Sequence, residues 1–384
     1  MENRGRLYFE YDPEFLQDPL WLSPFKLPPE PGLLEHRDRD FGPIFGLFDD
    51  SLPDGWGLLL MDRFFRQRSI DPRTVSVLDR LAYLGSRTMG ALTYRPPTHG
   101  LDRDLQLLDL HELAQASDQV LRGTTDEVLP QLLRAGGSPG GARPKVLVGV
   151  RGDEIISGED ELPSGFSHWI VKFSGQGDPE DAGAIELAYA HMAKDAGIDM
   201  PSIRAFDTPQ GQRFFGVERF DRQDDQRFHV HTFGNLIHAN FRIPSCDYQQ
   251  LLHTIRVLTR DHRAVLEGFR RMAFNVATHN RDDHAKNFAF KMTHGGQWQL
   301  APAYDLMVAD GPGGEHTMTV AGEGRDPGRR ELLAVAESAE LSSQEVEPIL
   351  EEVTEVVGRW RRYGEDAGVG RRSLDWVESR LRST

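Results

Sequence analysis

Two short polar stretches hold most of the residues in this chain that could do chemistry. NRDDHAKNFAF (280–290) sets a carboxylate at Asp282, a cation at Lys286 and a side-chain amide at Asn287 between apolar neighbours. LAPAYDLM (300–307) adds a second carboxylate, Asp305. Carboxylate and amide oxygens are hard ligands suited to Mg2+, which keeps several waters and bridges phosphates. A rival reading takes His279, Asp283 and His284 as ligands of a softer metal, although no third imidazole or thiolate stands at a useful spacing.

A second group of candidates lies upstream. GGSPGGARPK (136–145) packs four glycines around Ser138 and feeds the strand-like VLVGV. Glycines at a strand entrance let backbone N–H groups approach an anion closely. The loop is not of the Walker type, because no Lys-Ser or Lys-Thr closes it and a strand follows. A plain surface turn is the competing explanation. Lys172 stands in the apolar HWIVKFS (168–174), where a lysine either snorkels to solvent or faces a counter-charge. Glu186, read as opening the next helix, could supply that charge or simply favour the helix start. In chain order the parts are a glycine loop, a strand lysine, a helix acid, a charged strand crossing, an Asp-x3-Lys-Asn loop and a late Asp. Protein kinases use these parts in this order for phosphoryl transfer.

The elements that must position these residues can be read from periodicity. LYFEYD (7–12) is an aromatic-rich strand candidate. SLPDGWG (51–57) is dense in turn formers, and the apolar GLLLMDRFF behind it reads as a helix. LDRLAYLG (78–85) is a helix ending in glycine, and YRPPTHG (94–100) a linker. Helices follow in 105–123 and 127–135. VLVGV, the strand after it, HWIVKFS and the hairpin RAFDTPQGQRFFGVERFD (204–221) form a small antiparallel sheet carrying one helix, ELAYAHMAKDAGI (186–198). From about residue 222 apolar residues recur at helical spacing, as in YQQLLHTIRVLT and HRAVLEGFRRMAFNVATHN. The expected architecture is a β-rich lobe and an α-rich lobe with a cleft between them.

Composition bounds the partners. With 384 residues, 39% hydrophobic and 27% charged, the chain fits a globular protein of two or three domains. No apolar run approaches the ~18–20 residues of a membrane span, and MENRGRLYFEYDPEF lacks a signal-peptide core. The single cysteine, Cys246, forms no internal disulfide. A cytoplasmic protein is expected. Net charge is −16, from 44 basic and 60 acidic residues, which repels phosphate backbones overall. GRDPGRREL (324–332) and GRWRRYG (358–364) are the basic segments that could locally override this, although solvated faces are the commoner fate of such runs.

Taken together, FGLFDDSLPDGWG (45–57), LAYLGSRTMGALTY (81–94), SPGGARPK (138–145), HWIVKF (168–173), GVERFDR (216–222), NRDDHAKNFAF and LAPAYDLM resemble the HipA family of serine/threonine kinases. These kinases are the toxin halves of bacterial toxin–antitoxin pairs. The resemblance implies an α+β, two-lobed protein-kinase-like fold, with a β-rich N-lobe, an all-α C-lobe and an additional N-terminal α/β subdomain. The implied segments are 1–98, 99–221 and 222–384. It implies ATP and Mg2+ as cofactors, Asp282 as catalytic base, and Asn287 and Asp305 as Mg2+ ligands. Lys172 would contact the ATP phosphates, and Gly140, Gly141, Ala142, Arg143, Pro144 and Lys145 would cover them. Glu218, Arg219 and Phe220 would be the hinge whose backbone pairs with the adenine edge. His284 and Lys286 would face the nucleotide, and Tyr304 would flank Asp305. The resemblance also makes Ser138 a site of autophosphorylation that silences the kinase, the phosphate's charge of about −1.5 to −2 keeping the loop from closing over ATP.

The implied partners are a protein substrate, such as an aminoacyl-tRNA synthetase, and a DNA-binding antitoxin through which DNA is met only indirectly. No membrane is involved. NRDDHAKN carries no His-Arg-Asp, and Tyr-Asp-Leu (304–306) stands where other kinases carry Asp-Phe-Gly. A catalytically silent, nucleotide-binding partner of a DNA-binding repressor is the alternative, and intact Lys172, Asp282, Asn287 and Asp305 argue against it.

Overall fold

The structure, a computed structural model, describes residues 2–3, 6–97, 107–125, 128–135, 141–158, 161–240, 243 and 245–382. They fall into two compact units, one of residues 1–183 and 203–231, the other of 184–202 and 232–384. The first two segments expected from the sequence lie in the first unit, apart from residues 184–202, which join the second.

The first unit opens with a three-stranded sheet of β1 (Glu2–Asn3), β2 (Arg6–Glu10) and β3 (Leu33–Glu35), paired antiparallel in that order. Next come α1 (Gly46–Asp49), α2 (Gly55–Gln67) and α3 (Val77–Leu84). On α2, Trp56, Leu60, Met61, Phe64 and Phe65 form one buried face. A capping box between Ser76 and Asp79 starts α3. Asp109 caps α4 (Leu110–Arg122), which α5 (Pro130–Ala135) follows.

The main sheet contains β4 (Lys145–Arg151), β5 (Glu154–Ser157), β6 (Ser167–Lys172), β7 (Ile203–Asp207) and β8 (Arg213–Glu218). The order is β5-β4-β6-β8-β7 with every pairing antiparallel. The interior strand β4 is buried along its first six residues. Its Val146 and Val148 share one apolar core with Trp56, Phe64, Tyr83 and Leu132. The N-terminal helices and the main sheet therefore bury their faces against each other. A short hairpin of β9 (Arg222–Gln223) and β10 (Gln226–Arg227) comes next, and β11 (Val230–Thr232) spans the change of unit.

Helices dominate the second unit. They are α6 (Ala182–Asp195, entering from the first unit), α7 (Phe233–Ile237), α8 (Tyr248–Thr259), α9 (His262–Ala277), α10 (Arg329–Ser338), α11 (Ser343–Val357), α12 (Trp360–Ala367) and α13 (Arg371–Glu378). The all-α expectation misses the short strands between them. These are β12 (Cys246–Asp247), β13 (Ala289–Met292), β14 (Trp298–Leu300) and β15 (Met318–Thr319), pairing β13–β14 antiparallel and β12–β15 parallel. Runs of two to four residues are too short to register an alternating pattern. A further correction concerns Glu186. Helix α6 begins four residues before it, so Glu186 lies in the second turn, 5% exposed. The Ala-Gly-Ala opening of α6 carries no apolar period that would reveal the true start.

Two buried histidines give the first unit a pH dependence. His168 Nδ1 lies 3.2 Å from the Gly158 carbonyl and His229 Nε2 lies 2.9 Å from that of Leu22. Burial, aided at His168 by the Arg219 charge and at His229 by His231, pushes both down from 6.5 to about 4. The unfolded chain takes these protons near 6.5 and the folded chain only near 4, so stability is full above 6.5 and declines as pH falls to 4. The urea midpoint is expected to drop between about pH 7.5 and about pH 5. An unchanged midpoint would contradict this.

Candidate active site

In the second unit, α9 ends at Ala277, Thr278 caps it, and the chain turns through His279, whose φ is +55°. The next residues alternate in exposure: Arg281 is buried, Asp282 exposed and Asp283 buried. Asp283 is 1% exposed, and several donors hold its carboxylate. Tyr248 Oη–H donates to Oδ2 at 2.7 Å, His316 Nδ1 lies 2.8 Å from the same oxygen, and the Thr317 N–H donates to Oδ1 at 2.9 Å. Behind Tyr248, Asn275 Nδ2 donates to the phenol oxygen at 3.0 Å, and Asn280 Nδ2 donates to Asn275 Oδ1 at 2.9 Å. Arg281 donates to the carbonyls of Gly314 and Arg325. The loop is thus fastened on both sides of Asp282, which points outward.

A 3-10 turn at Ala285–Asn287 follows. Asn287 Nδ2 donates to the Asp282 carbonyl at 2.7 Å, and Tyr304 Oη–H donates to the Lys286 carbonyl at 2.6 Å. Asp305 has φ +58°, a left-handed conformation uncommon for a residue with a side chain. Asn287, Tyr304 and Asp305 line one small pocket together with Asn275, Asn280 and Asp283. An amide and a carboxylate on one pocket wall are a donor set that fits Mg2+, with waters and phosphate oxygens completing the shell. The rival histidine site is not supported. Both Asp283 oxygens are engaged as above, and His279 Nε2 lies 3.1 Å from Asp310. Among the described residues no group of three or more His, Cys, Asp or Glu could hold a metal ion.

In the first unit, Gly141, Ala142, Arg143 and Pro144 lead into β4, whereas Ser138 and Gly140 lie outside the described residues. Lys145 opens β4 and Lys172 closes β6, directly opposite in the register. Opposed residues of an antiparallel pair share a face, so the two cations leave the same side of the sheet. Lys172 is therefore a strand-end residue, and its Nζ lies 5.7 Å from the Phe215 ring centroid. Arg143 grips Asp178 with Nε at 2.9 Å and Nη2 at 3.1 Å, and the Gly175 N–H donates to the same carboxylate at 2.7 Å. Its charge is paired with that carboxylate.

Glu218 ends β8, and the Arg219 N–H donates to the His168 carbonyl at 2.8 Å, so that amide belongs to the sheet. The Arg219 guanidinium, from a residue 3% exposed, binds both oxygens of Asp221 at 2.9 and 2.8 Å. Arg222 Nη1 and the Gly90 N–H also donate to Asp221, each at 2.7 Å. Burial pushes the Asp221 carboxyl up, but the Arg219 and Arg222 charges outweigh it and hold the group well below the usual carboxylate range. Arg222 and Arg227 donate to the Thr88 carbonyl as well. The Glu-Arg-Phe-Asp-Arg crossing thereby ties the sheet to residues 88–90.

A Ser–His–Asp series occurs elsewhere in this unit. His231 Nδ1 lies 2.5 Å from Asp50 Oδ2 and its Nε2 lies 3.0 Å from Ser23 Oγ. Ser23 is 1% exposed, so the series is a staple and not a reachable nucleophile. The basic segments are charge-balanced: Arg325 pairs with Glu315, Arg329 with Glu347, and Arg361 with Asp375 and Glu378. Sequence reasoning missed Tyr248, Asn275, His316 and Asp178, and weighed Asp283 only as a metal ligand. The one available signal was the polar Asn275 inside the apolar run AFNVA.

Residues 137–360 match the HipA-like C-terminal domain and residues 1–95 the HipA N-terminal domain. Among solved structures, the chain is similar to HipA in the Shewanella oneidensis MR-1 complex of HipA, HipB and operator DNA. The TM-score is 0.70 at 17% identity, covering 97% of this chain and 90% of that one. The Helicobacter pylori proinflammatory kinase CtkA gives a TM-score of 0.34 at 11% identity, covering 56% of this chain and 90% of that one. No curated protein matches the chain. The likeness to the Shewanella structure shows the fold, in which helices and sheets are both present.

Proposed function

The chain belongs to the HipA family, and from that premise we propose that it is an ATP- and Mg2+-dependent serine/threonine protein kinase, the toxin half of a toxin–antitoxin pair. The observation that carries this reading is the second unit's loop: Asp282 is exposed, and Asn287, which bonds its carbonyl, lines one pocket with Asp305. Bound Mg2+–ATP would supply the transferable phosphoryl group and part of the charge neutralisation. Asp282 would orient a substrate hydroxyl and take its proton, and Asn287 and Asp305 would hold the metal. Tyr304 fixes the turn that carries Asn287 through the Lys286 carbonyl. Lys145 and Lys172 would offer two cations to the phosphates, and Gly141 its backbone. Arg143, paired with Asp178, shapes the loop.

The substrate would be a protein hydroxyl, with a translation component such as an aminoacyl-tRNA synthetase as the candidate class. The partner would be an antitoxin like the HipB of the Shewanella complex. The net charge of −16 and the paired arginines of the basic segments favour DNA contact through that partner. No helix among the described residues is long and apolar enough to cross a membrane.

Incubation with ATP and Mg2+ is expected to place a phosphate on Ser138, read by mass spectrometry, and EDTA is expected to prevent it. Nucleotide binding with no phosphate transfer to any protein would favour the silent-partner alternative. Unmodified Ser138 in an active preparation would remove the autophosphorylation step alone.

A further inference from the structure

The SLPDGWG turn has no part in the chemistry above, yet it meets the glycine-rich loop at atomic contact. Gly55 has φ +42°, and a Cβ there would lie 2.6 Å from the Gly141 carbonyl oxygen and 2.8 Å from the Ala142 Cα. Real Cβ atoms do not approach backbone so closely, so this contact requires glycine. The next residue binds both ends of the same short segment. The Trp56 N–H donates to the Gly141 carbonyl at 3.3 Å and its indole Nε1–H to the Lys145 carbonyl at 3.1 Å. Trp56 is 1% exposed.

We propose that Gly55 and Trp56 are positioning residues for the glycine-rich loop, holding its Gly141–Lys145 base at a fixed height over the end of β4. Core packing alone would account for a buried tryptophan whose indole N–H meets some carbonyl. It does not account for two donors from one residue spanning one five-residue segment, next to a glycine that the same segment demands. The consequence reaches Lys145. A Cβ on Gly141 would lie 2.7 Å from Lys145 Nζ, so the height of the loop base sets where that ammonium sits. The effect on ATP rests on the function proposed above, in which this loop covers the phosphates.

The test uses Gly55→Ala and the milder Trp56→Phe, which keeps an aromatic ring and deletes the indole donor. Gly152→Ala is the control, because Gly152 has a similar φ of +60° with nothing within 4 Å of a Cβ. Hydrogen exchange of residues 141–147 is measured without nucleotide, and ATP affinity and the KM for ATP are measured separately. Both loop variants are expected to speed exchange in this segment, Gly55→Ala the more. The KM for ATP should rise roughly tenfold, short of the ~10²-fold cost of a 1 Å misplacement, with kcat falling less. Gly152→Ala should do neither. Faster exchange with unchanged ATP affinity would uphold the positioning role and sink the placement of ATP under the loop. Exchange like that of the native chain in Trp56→Phe, or equal acceleration in Gly152→Ala, would overturn the proposal. If Gly55→Ala fails to fold, Trp56→Phe decides.

Discussion

An Asp282→Asn protein transfers phosphate roughly 10²–10⁴-fold more slowly than the native chain, the usual contribution of a positioned general base. Its ATP affinity and unfolding midpoint stay where they were. Both halves of this expectation follow from one geometric fact: Asp282 is exposed while its two neighbours are buried. Exposed substitutions away from caps and networks change stability by about 0.5 kcal/mol or less. Asn287 Nδ2 donates to the Asp282 carbonyl, a backbone atom the substitution leaves in place. Asparagine keeps the shape of the side chain and removes its capacity to accept the hydroxyl proton. Single-turnover transfer, nucleotide titration and urea unfolding separate these effects. Native transfer rates in Asp282→Asn would end the assignment of the base.

The parts of the fold that the sequence discloses are those governed by local physics. Helices α2, α3, α8, α9 and α11 announce themselves through apolar spacing over one or two turns, and the five strands of the main sheet through β-rich runs between turn formers. Asp282, Asn287 and Asp305 are visible for the same reason, as polar residues crowded into short apolar surroundings. What holds them is not local. Tyr248 and His316 reach Asp283 from 35 and 33 residues away, and Trp56 reaches Lys145 from 89. Arg143 and Asp178 are 35 residues apart, so the pair that shapes the loop cannot be seen within the loop. Arg219, which the resemblance places in the hinge, is a related case: its side chain meets Asp221 and its N–H the His168 carbonyl 51 residues upstream in the chain, a strand pairing that its own stretch does not contain. Pairings of this kind are set by which strands and helices become neighbours, a result of folding that no window of residues contains.

Asp283→Ala should show the opposite signature to Asp282→Asn, losing about 3–5 kcal/mol of stability together with activity. Three buried donors, Tyr248 Oη–H, His316 Nδ1 and the Thr317 N–H, converge on the Asp283 carboxylate. Alanine removes their acceptor, and each orphaned buried group costs about 1–3 kcal/mol. Tyr248 cannot escape by ionising, because its burial, which the substitution leaves in place, pushes the phenol well above the ordinary value. The lost stability should also be shared. Tyr248→Phe already deletes one donor, so adding it to Asp283→Ala should cost less than the sum of the single changes, by about 0.5–3 kcal/mol in a double-mutant cycle. Activity falls because the Asp283 backbone is the neighbour that fixes Asp282, so a loosened Asp283 lets the base wander from its 3 Å-scale geometry. Urea unfolding of the four proteins reads the stability and coupling directly. An Asp283→Ala midpoint equal to that of the native chain, or strict additivity with Tyr248→Phe, would mean that this buried network does not hold the loop.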